Sequence, residues 1–274
     1  MRLYSAGVSV ERPSFRVQRA FGVGSEFRRL HGGQGTSWVS GDLVFKPGGA
    51  EVQGWLGRVL AGLRVDSVRV ALPKAAGDGS WSVDGWTATS FVEGSHPDLS
   101  VPSTWVRIVA AGRSFHQAVA HLPRPDILDG RDDPWATADR VAWGERPMHF
   151  LPEFAELAGR LLSSQPPPGR PQLVHGDLTG NVLFAAGLPP ALIDISPYWR
   201  PPLYAEAVVA ADALCWHGAD ASVLGLVGVS AGAVARALLF RMATTNALAT
   251  TESDTVDVIT EAHRYQRAAE AIGF

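Results

Sequence analysis

The spacing of apolar residues changes character after Val92, and that change divides the chain. Before it, short apolar runs alternate with turn residues: Glu26–Leu30, Thr36–Val39, Leu43–Lys46, Val68–Leu72 and Trp86–Val92. Runs of this length, bounded by Gly, Pro, Asp and Ser, predict strands. His31-Gly32-Gly33-Gln34-Gly35 separates the first pair, Ser40-Gly41-Asp42 the second, and an insert around Gly77-Asp78-Gly79 the last. Two helices are expected among them. One runs from Pro13 to Phe21 and stops at Gly22. The other, Glu51–Leu63, puts Trp55, Leu56, Val59 and Leu60 on one side.

Beyond Glu93-Gly94-Ser95-His96-Pro97 the period becomes helical. Ser103 is the expected N-cap of a long helix reaching about His121. Pro123–Pro147 has no clean period and predicts an irregular excursion with one short helix. Further helices are expected at Glu153–Ser163, Tyr204–His217, within Ala221–Ala249, and from Ser253, as N-cap, to Ala271. The pattern predicts an α+β chain of two lobes, a β-rich 1–94 and a mainly helical 95–274. There is no internal repeat and no low-complexity tract.

One stretch of the helical part departs from its surroundings. Leu173-Val174-His175-Gly176-Asp177-Leu178-Thr179-Gly180-Asn181-Val182-Leu183-Phe184 leads through a Gly- and Pro-rich turn to Ala191-Leu192-Ile193-Asp194. Apolar segments flank three side chains that offer oxygen: Asp177, Asn181 and Asp194. A hairpin centred on Gly187-Leu188 would set Asn181 opposite Asp194. Two carboxylates and an amide oxygen are hard ligands of the kind that suits Mg²⁺, which keeps waters and borrows oxygens from a substrate phosphate.

Composition narrows the function classes. The chain has 274 residues and a formal net charge of −3, with no basic runs, so neither nucleic acid nor an anionic membrane is the expected partner. Cys215 is the only cysteine, which excludes an intrachain disulfide and agrees with a reducing compartment. Met1–Arg12 shows no signal-peptide pattern, and the apolar run Ala221–Ala235 is too short to span a bilayer, so a soluble, cytoplasmic protein is expected. The basic residues are almost all arginine; Lys46 and Lys74 are the two lysines.

Lys46 ends the third expected strand, behind the glycine turn. A strand, Gly turn and strand followed by a lysine can cradle a nucleotide triphosphate, with backbone N–H groups near Gly33 and Gly35 on phosphate oxygens and a mobile point charge from the lysine. Alternation puts Val44 on the same face, available to pack on a flat base. Glu51 could pair with Lys46 and aim it. The plain alternatives are a simple hairpin and an acid favourably placed at a helix N-terminus.

The same weighing applies to the central stretch. Asp177 could cap its own turn, His175 could be a satisfied core histidine, and Asn181 and Asp194 could be strand-end polarity. One shared site explains their spacing together. In it Asp177 orients or deprotonates an acceptor hydroxyl, Asn181 and Asp194 hold Mg²⁺, and His175 braces the loop.

His175-Gly176-Asp177, Asn181 and Ile193-Asp194 resemble the signature of the aminoglycoside phosphotransferase and choline kinase group of protein-kinase-like small-molecule kinases. The resemblance extends over most of the chain, through the Gly turn, Lys46, Glu51 and a hinge near Ser90–Glu93. It is similar above all to a branch labelled only as phosphotransferases. The resemblance implies a bilobal protein-kinase-like fold with ATP between the lobes and its base hydrogen-bonded to hinge backbone, near Ser90 and Val92. It implies Asp177 in the catalytic-base position, Asn181 and Asp194 as metal ligands, Lys46 as the phosphate lysine and Glu51 as its partner.

Many relatives follow the metal aspartate with an aromatic residue and a Gly…Asp pair. This chain has Ile195-Ser196-Pro197-Tyr198-Trp199, with Pro201 and Glu206 near the place of the pair; Glu206 could keep a structural acid. Asp126, Asp129, Asp132, Asp133 and Asp139 interleave with Arg124, Arg131 and Arg140, which reads as a solvated mixed face and not as a surface for a polycation. Tyr198, Trp199, Trp135, Trp143 and Trp216 could wall a pocket for a sugar or an apolar ring, or fill core.

The expectation is therefore an ATP- and Mg²⁺-dependent phosphotransferase acting on a hydroxyl of a small molecule: aminoglycoside-like, an amino sugar or another metabolite. The alternative from another class is a nucleotide-binding pseudokinase that regulates a partner. Protein substrates are disfavoured, because the chain between Asp194 and the next helix is too short for an activation segment.

Overall fold

A computed structural model describes residues 11–24, 26–30, 35–251 and 256–274. In chain order its elements begin with α1 (Phe15–Ala20), β1 (Arg28–Arg29), β2 (Trp38–Ser40), β3 (Leu43–Pro47) and α2 (Ala50–Val59). Then come β4 (Arg69–Val70), β5 (Pro73–Lys74), β6 (Trp86–Ser90) and α3 (Pro102–Val119). A 3-10 turn at Asp126–Leu128 precedes α4 (Pro134–Ala142), α5 (Pro152–Leu162), β7 (Gln172–His175), β8 (Val182–Leu183) and β9 (Ala191–Leu192). The chain closes with β10 (Pro197–Arg200), α6 (Pro202–Trp216), α7 (Ser222–Val227), α8 (Ala231–Thr251) and α9 (Val258–Ala271). The fold is α+β and protein-kinase-like.

Contacts divide the chain into two units. The first holds the described residues up to Ser95 together with Leu183–Asp194. Its main sheet has the order β1-β2-β3-β6-β5, with β3 and β6 paired antiparallel so that Lys46 stands opposite Thr87. Strand alternation does what the sequence predicts: Leu43 and Phe45 are buried, while Val44 and Lys46 face the other way and are half-buried. Phe45 is the centre of the core, edge-on to Phe21 at 5.4 Å and Phe27 at 5.1 Å, beside Val17, Trp86 and Ala88.

The expected single strand Val68–Leu72 divides its work in the structure. Arg69 and Val70 pair in parallel with Ala191 and Leu192, while Pro73 and Lys74 form a separate edge strand on β6. A proline is tolerated there because the edge needs no donor on its outer side. The expected glycine turn at His31–Gly35 lies mostly outside the described residues, Gly33 included.

The second unit comprises His96–Val182 and Ile195–Phe274. Its axis is α8, buried along nearly its whole length and packed by α4, α5, α6 and α9. A helix apolar on all sides belongs inside a core, and both α8 and α6 follow that rule. β7 and β10 form an antiparallel pair, Pro197 opposite His175 and Tyr198 opposite Val174. Two helix starts differ from expectation. Ser103 lies inside α3, which begins at Pro102 after Val101, because proline is already set for the first helical position. The expected cap Ser253 lies outside the described residues, and α9 is capped by Asp257, whose carboxylate accepts from the Thr260 amide at 3.1 Å.

Candidate active site

The His175–Asn181 segment begins where β7 ends. His175 is fully buried, and its backbone amide donates to His116 Nε2 on α3 at 3.0 Å. The amides of Asp177 and Ser196 donate to His175 Nδ1 at 3.4 and 3.2 Å, and Gly176 N donates to the Ser196 carbonyl at 3.0 Å. His175 therefore ties the two strands flanking the loop to the loop itself, the bracing role expected of it. Burial, and then the neighbouring His175, push His116 down to about 3, so it stays neutral and can accept.

Gly176 carries the closest approach. A Cβ there would sit 2.4 Å from Cδ2 of Tyr198, so the aromatic ring of β10 lies directly against the backbone before Asp177. Tyr198 in turn packs edge-on to Phe240 of α8 at 5.8 Å.

Asp177 keeps 35% of its side chain exposed, and both of its oxygens are engaged. Arg241 Nη2 donates to Oδ1 at 2.6 Å. Asn181 Nδ2 donates to Oδ2 at 3.2 Å and to the Asp177 carbonyl at 2.7 Å. Behind Asp177, Arg241 Nε and Nη2 reach Asp212 Oδ1 and Oδ2 at 2.8 and 2.7 Å. Arg241 and Asp212 are each 1% exposed. Burial alone would raise the Asp177 carboxyl, but the Arg241 guanidinium outweighs it and holds the group below its ordinary range.

Neither Arg241 nor Asp212 is singled out by the sequence reading. The signal was present: a lone arginine in Leu238-Leu239-Phe240-Arg241-Met242 and a lone aspartate in Val209-Ala210-Ala211-Asp212-Ala213, each within an apolar helix. A charge in such a run must find a partner when the helix is buried.

In the first unit Lys46 Nζ pairs with Asp194 Oδ2. Asp194 has φ 51°, a left-handed conformation uncommon for a residue other than glycine, immediately after the β8–β9 segment and its turn at Gly187. The expected Glu51–Lys46 pair is not made among the described residues; Glu51 stands exposed in the first turn of α2, where an acid suits the helix terminus. Gly35 has φ 68°, and its carbonyl accepts from Arg29 Nε and Nη2 at 2.9 and 2.8 Å. Val44 is half-buried. Ser90 N donates to the Leu72 carbonyl at 2.8 Å, Ser90 Oγ accepts from Leu72 N at 3.0 Å, and Val92 is half-buried just beyond β6.

No cluster of three or more His, Cys, Asp or Glu that could hold a metal occurs among the described residues. The donor set expected for Mg²⁺ is thinner, one carboxylate and one amide oxygen.

The interleaved acids form the expected solvated mixed face at Asp126, Asp129 and Asp132, which are exposed, and depart from it at Asp139, which is buried. Asp129 pairs with Arg124, Asp133 with Arg131, and the buried Asp139 with Arg200, which also holds Glu145. Glu206 is buried and pairs with Arg113, so it does serve as a structural acid. Of the aromatics, the partly buried Trp143 packs on Tyr204 and the partly buried Trp216 on Tyr265, whereas Tyr198 and Trp199 line a cavity. No helix among the described residues is long and apolar enough to cross a membrane.

Residues 50–228 match the model of the phosphotransferase enzyme family. Solved structures share the fold. An aminoglycoside phosphotransferase from Alicyclobacillus acidocaldarius is 12% identical with TM-score 0.54, covering 97% of this chain and 96% of that one. The spectinomycin phosphotransferase APH(9)-Ia, solved with ADP and spectinomycin, is 13% identical with TM-score 0.55, covering 93% and 92%. Choline kinase LicA from Streptococcus pneumoniae is 12% identical with TM-score 0.54, covering 90% and 93%. No curated protein matches the chain. Family match, fold and the ordered His175–Asn181 loop agree, and the chain belongs to the phosphotransferase enzyme family as a small-molecule kinase.

Proposed function

We propose that the protein transfers the γ-phosphoryl group of ATP, with Mg²⁺, to a hydroxyl of a small molecule in the cytoplasm. The observation that carries this reading is Asp177: a carboxylate one-third exposed, fixed through both oxygens by Arg241 and Asn181. A base that must only hold a hydroxyl in line gains from fixed orientation more than from a high pKa, since phosphoryl transfer relies on positioning and charge stabilisation. The lowered Asp177 carboxyl stays ionised, accepts the hydroxyl hydrogen bond, and takes the proton as the bond to phosphorus forms.

Lys46 supplies the point charge for the donor phosphates, and its pairing with Asp194 sets that cation beside a carboxylate of the metal set. Asp194 and Asn181 would hold Mg²⁺, which offsets phosphate charge when bound. The half-buried face of β3 at Val44 and the chain at Ser90–Val92 would receive the adenine, and the backbone near Gly33 and Gly35 the phosphates. Glu51 would act near Lys46 only after a change of partner. The neighbour solved with ADP supports a nucleotide as donor. The residues up to 94 would thus carry nucleotide binding, and those from 95 onward the acceptor chemistry.

The test is ADP formation by the purified protein with ATP and Mg²⁺ across a panel of sugars, amino sugars, amino alcohols and aminoglycosides. Acceptor-dependent ADP release supports the reading, and ATP binding without turnover on any acceptor supports the regulatory alternative.

A further inference from the structure

The second unit contains a cavity of about 270 Å³ lined by Arg124, Arg131, Arg140 and Arg200, with Tyr198 and Trp199 on its wall. Two carboxylates, Asp139 and Glu145, also line it, but Arg200 already binds both. It donates to Asp139 through Nε and Nη2, and to Glu145 through Nη1 and Nη2. The other two acids of the network, Asp129 and Asp133, hold Arg124 and Arg131 without lining the cavity. Four arginines thus line the space with two carboxylates, both of them already bound by Arg200.

Arg140 is the decisive group. It is half-buried on α4, and its Nη2 donates to the carbonyl oxygens of Leu128 and Asp129 at 3.0 and 3.3 Å. It makes no ion pair among the described residues. A cation entering this cavity meets only carboxylates already held by Arg200, whereas an anion meets a guanidinium that Asp129 and Glu145 attract from a distance but that no carboxylate binds directly. The cavity also shares a wall with the catalytic loop, because the Tyr198 ring that lines it lies against Gly176.

We propose that this cavity binds the anionic group, a phosphate or carboxylate, of the acceptor alcohol. The substrate class is then a polyol or sugar bearing a negative charge, and not a polycationic antibiotic. The assignment to the acceptor rests on the phosphotransferase reading; the charge preference of the cavity does not.

The experiment measures inorganic phosphate binding by calorimetry to protein saturated with a non-hydrolysable ATP analogue and Mg²⁺, which occupies the nucleotide phosphates' own site. 1,4-Diaminobutane serves as the probe of opposite charge, and Arg140→Gln and the exposed Arg124→Gln are the variants, each checked for an unchanged melting temperature. The expected result is saturable phosphate binding, weakened about tenfold in Arg140→Gln, with analogue affinity unaltered. Arg124→Gln gives the same reading should Arg140→Gln fold poorly. Phosphate affinity unchanged from the wild type in both variants, no phosphate binding at all, or preferential binding of the diamine overturns the proposal. Failure of the analogue to bind, with phosphate binding still lost in the variants, removes the kinase reading and with it the acceptor assignment, and leaves the anion site standing.

Discussion

Arg241 of α8 donates from Nη2 to Asp177 Oδ1 at 2.6 Å, and the same guanidinium is gripped on its other side by Asp212. The orientation of the loop carboxylate is thereby set from inside the helical core. Arg241→Met would leave the buried Asp212 without its guanidinium partner, which costs about 3–5 kcal/mol. Denaturant unfolding should show that loss. Arg241→Lys keeps a charge but not the planar fork, so it should recover part of the stability while kcat stays depressed more than KM. Full activity in Arg241→Lys would show that the fork does not position Asp177.

Gly176 should not tolerate a side chain. Its added Cβ would meet the Tyr198 ring at 2.4 Å, and Tyr198 is itself held between β7 and Phe240. Gly176→Ala should lower stability by about 1–3 kcal/mol through overpacking, and lower activity further by displacing Asp177. A melting curve and a rate on the same preparation separate the two effects; an unperturbed variant would mean that the ring can yield.

His116 gives an acid-side signature. Its folded value is pushed down to about 3 from an ordinary 6.5, so neither state binds this proton above pH 6.5. As pH falls from 6.5 toward 3 the unfolded chain takes up a proton that the folded chain refuses. This group's contribution therefore lowers stability by about 1.4 kcal/mol per pH unit through that window. His116→Gln should flatten the slope, as measured by urea midpoints between pH 7 and pH 4. An identical slope in the variant would remove His116 as its source.

Lys46 should matter to chemistry and little to folding. Its pair with Asp194 is about one-third exposed on both sides, and exposed pairs contribute less than about 1 kcal/mol. Lys46→Met should leave the unfolding midpoint nearly unchanged while lowering kcat/KM for ATP by about 10²- to 10³-fold. A large stability loss with normal kinetics would reverse that assignment.

The sequence makes the fold class legible because both lobes obey simple periods. Alternation at Leu43–Lys46 and all-round burial of the late helices follow from the residues alone. The loop residues Asp177 and Asn181 are legible because they are local to one another, four apart on one turn. What the sequence hides is long-range pairing. Arg241 and Asp177 are 64 residues apart, and Lys46 and Asp194 are 148 apart, and no local pattern encodes either contact. Glu51 shows the opposite error, a partner inferred from nearness in sequence that the helix start holds in solvent instead. The interleaved Arg and Asp residues mislead at one position for a related reason: Asp139 looks solvated until Arg200, from β10, is seen to pair with it in the interior.

The central claim is that Asp177 orients the acceptor in a phosphoryl transfer from ATP. The direct measurement compares acceptor-dependent ADP formation in the wild type and Asp177→Ala, with ATP-analogue affinity determined on both. Loss of turnover by at least about 10²-fold, with nucleotide affinity retained, is the predicted result. Turnover in Asp177→Ala at the wild-type rate would contradict the account.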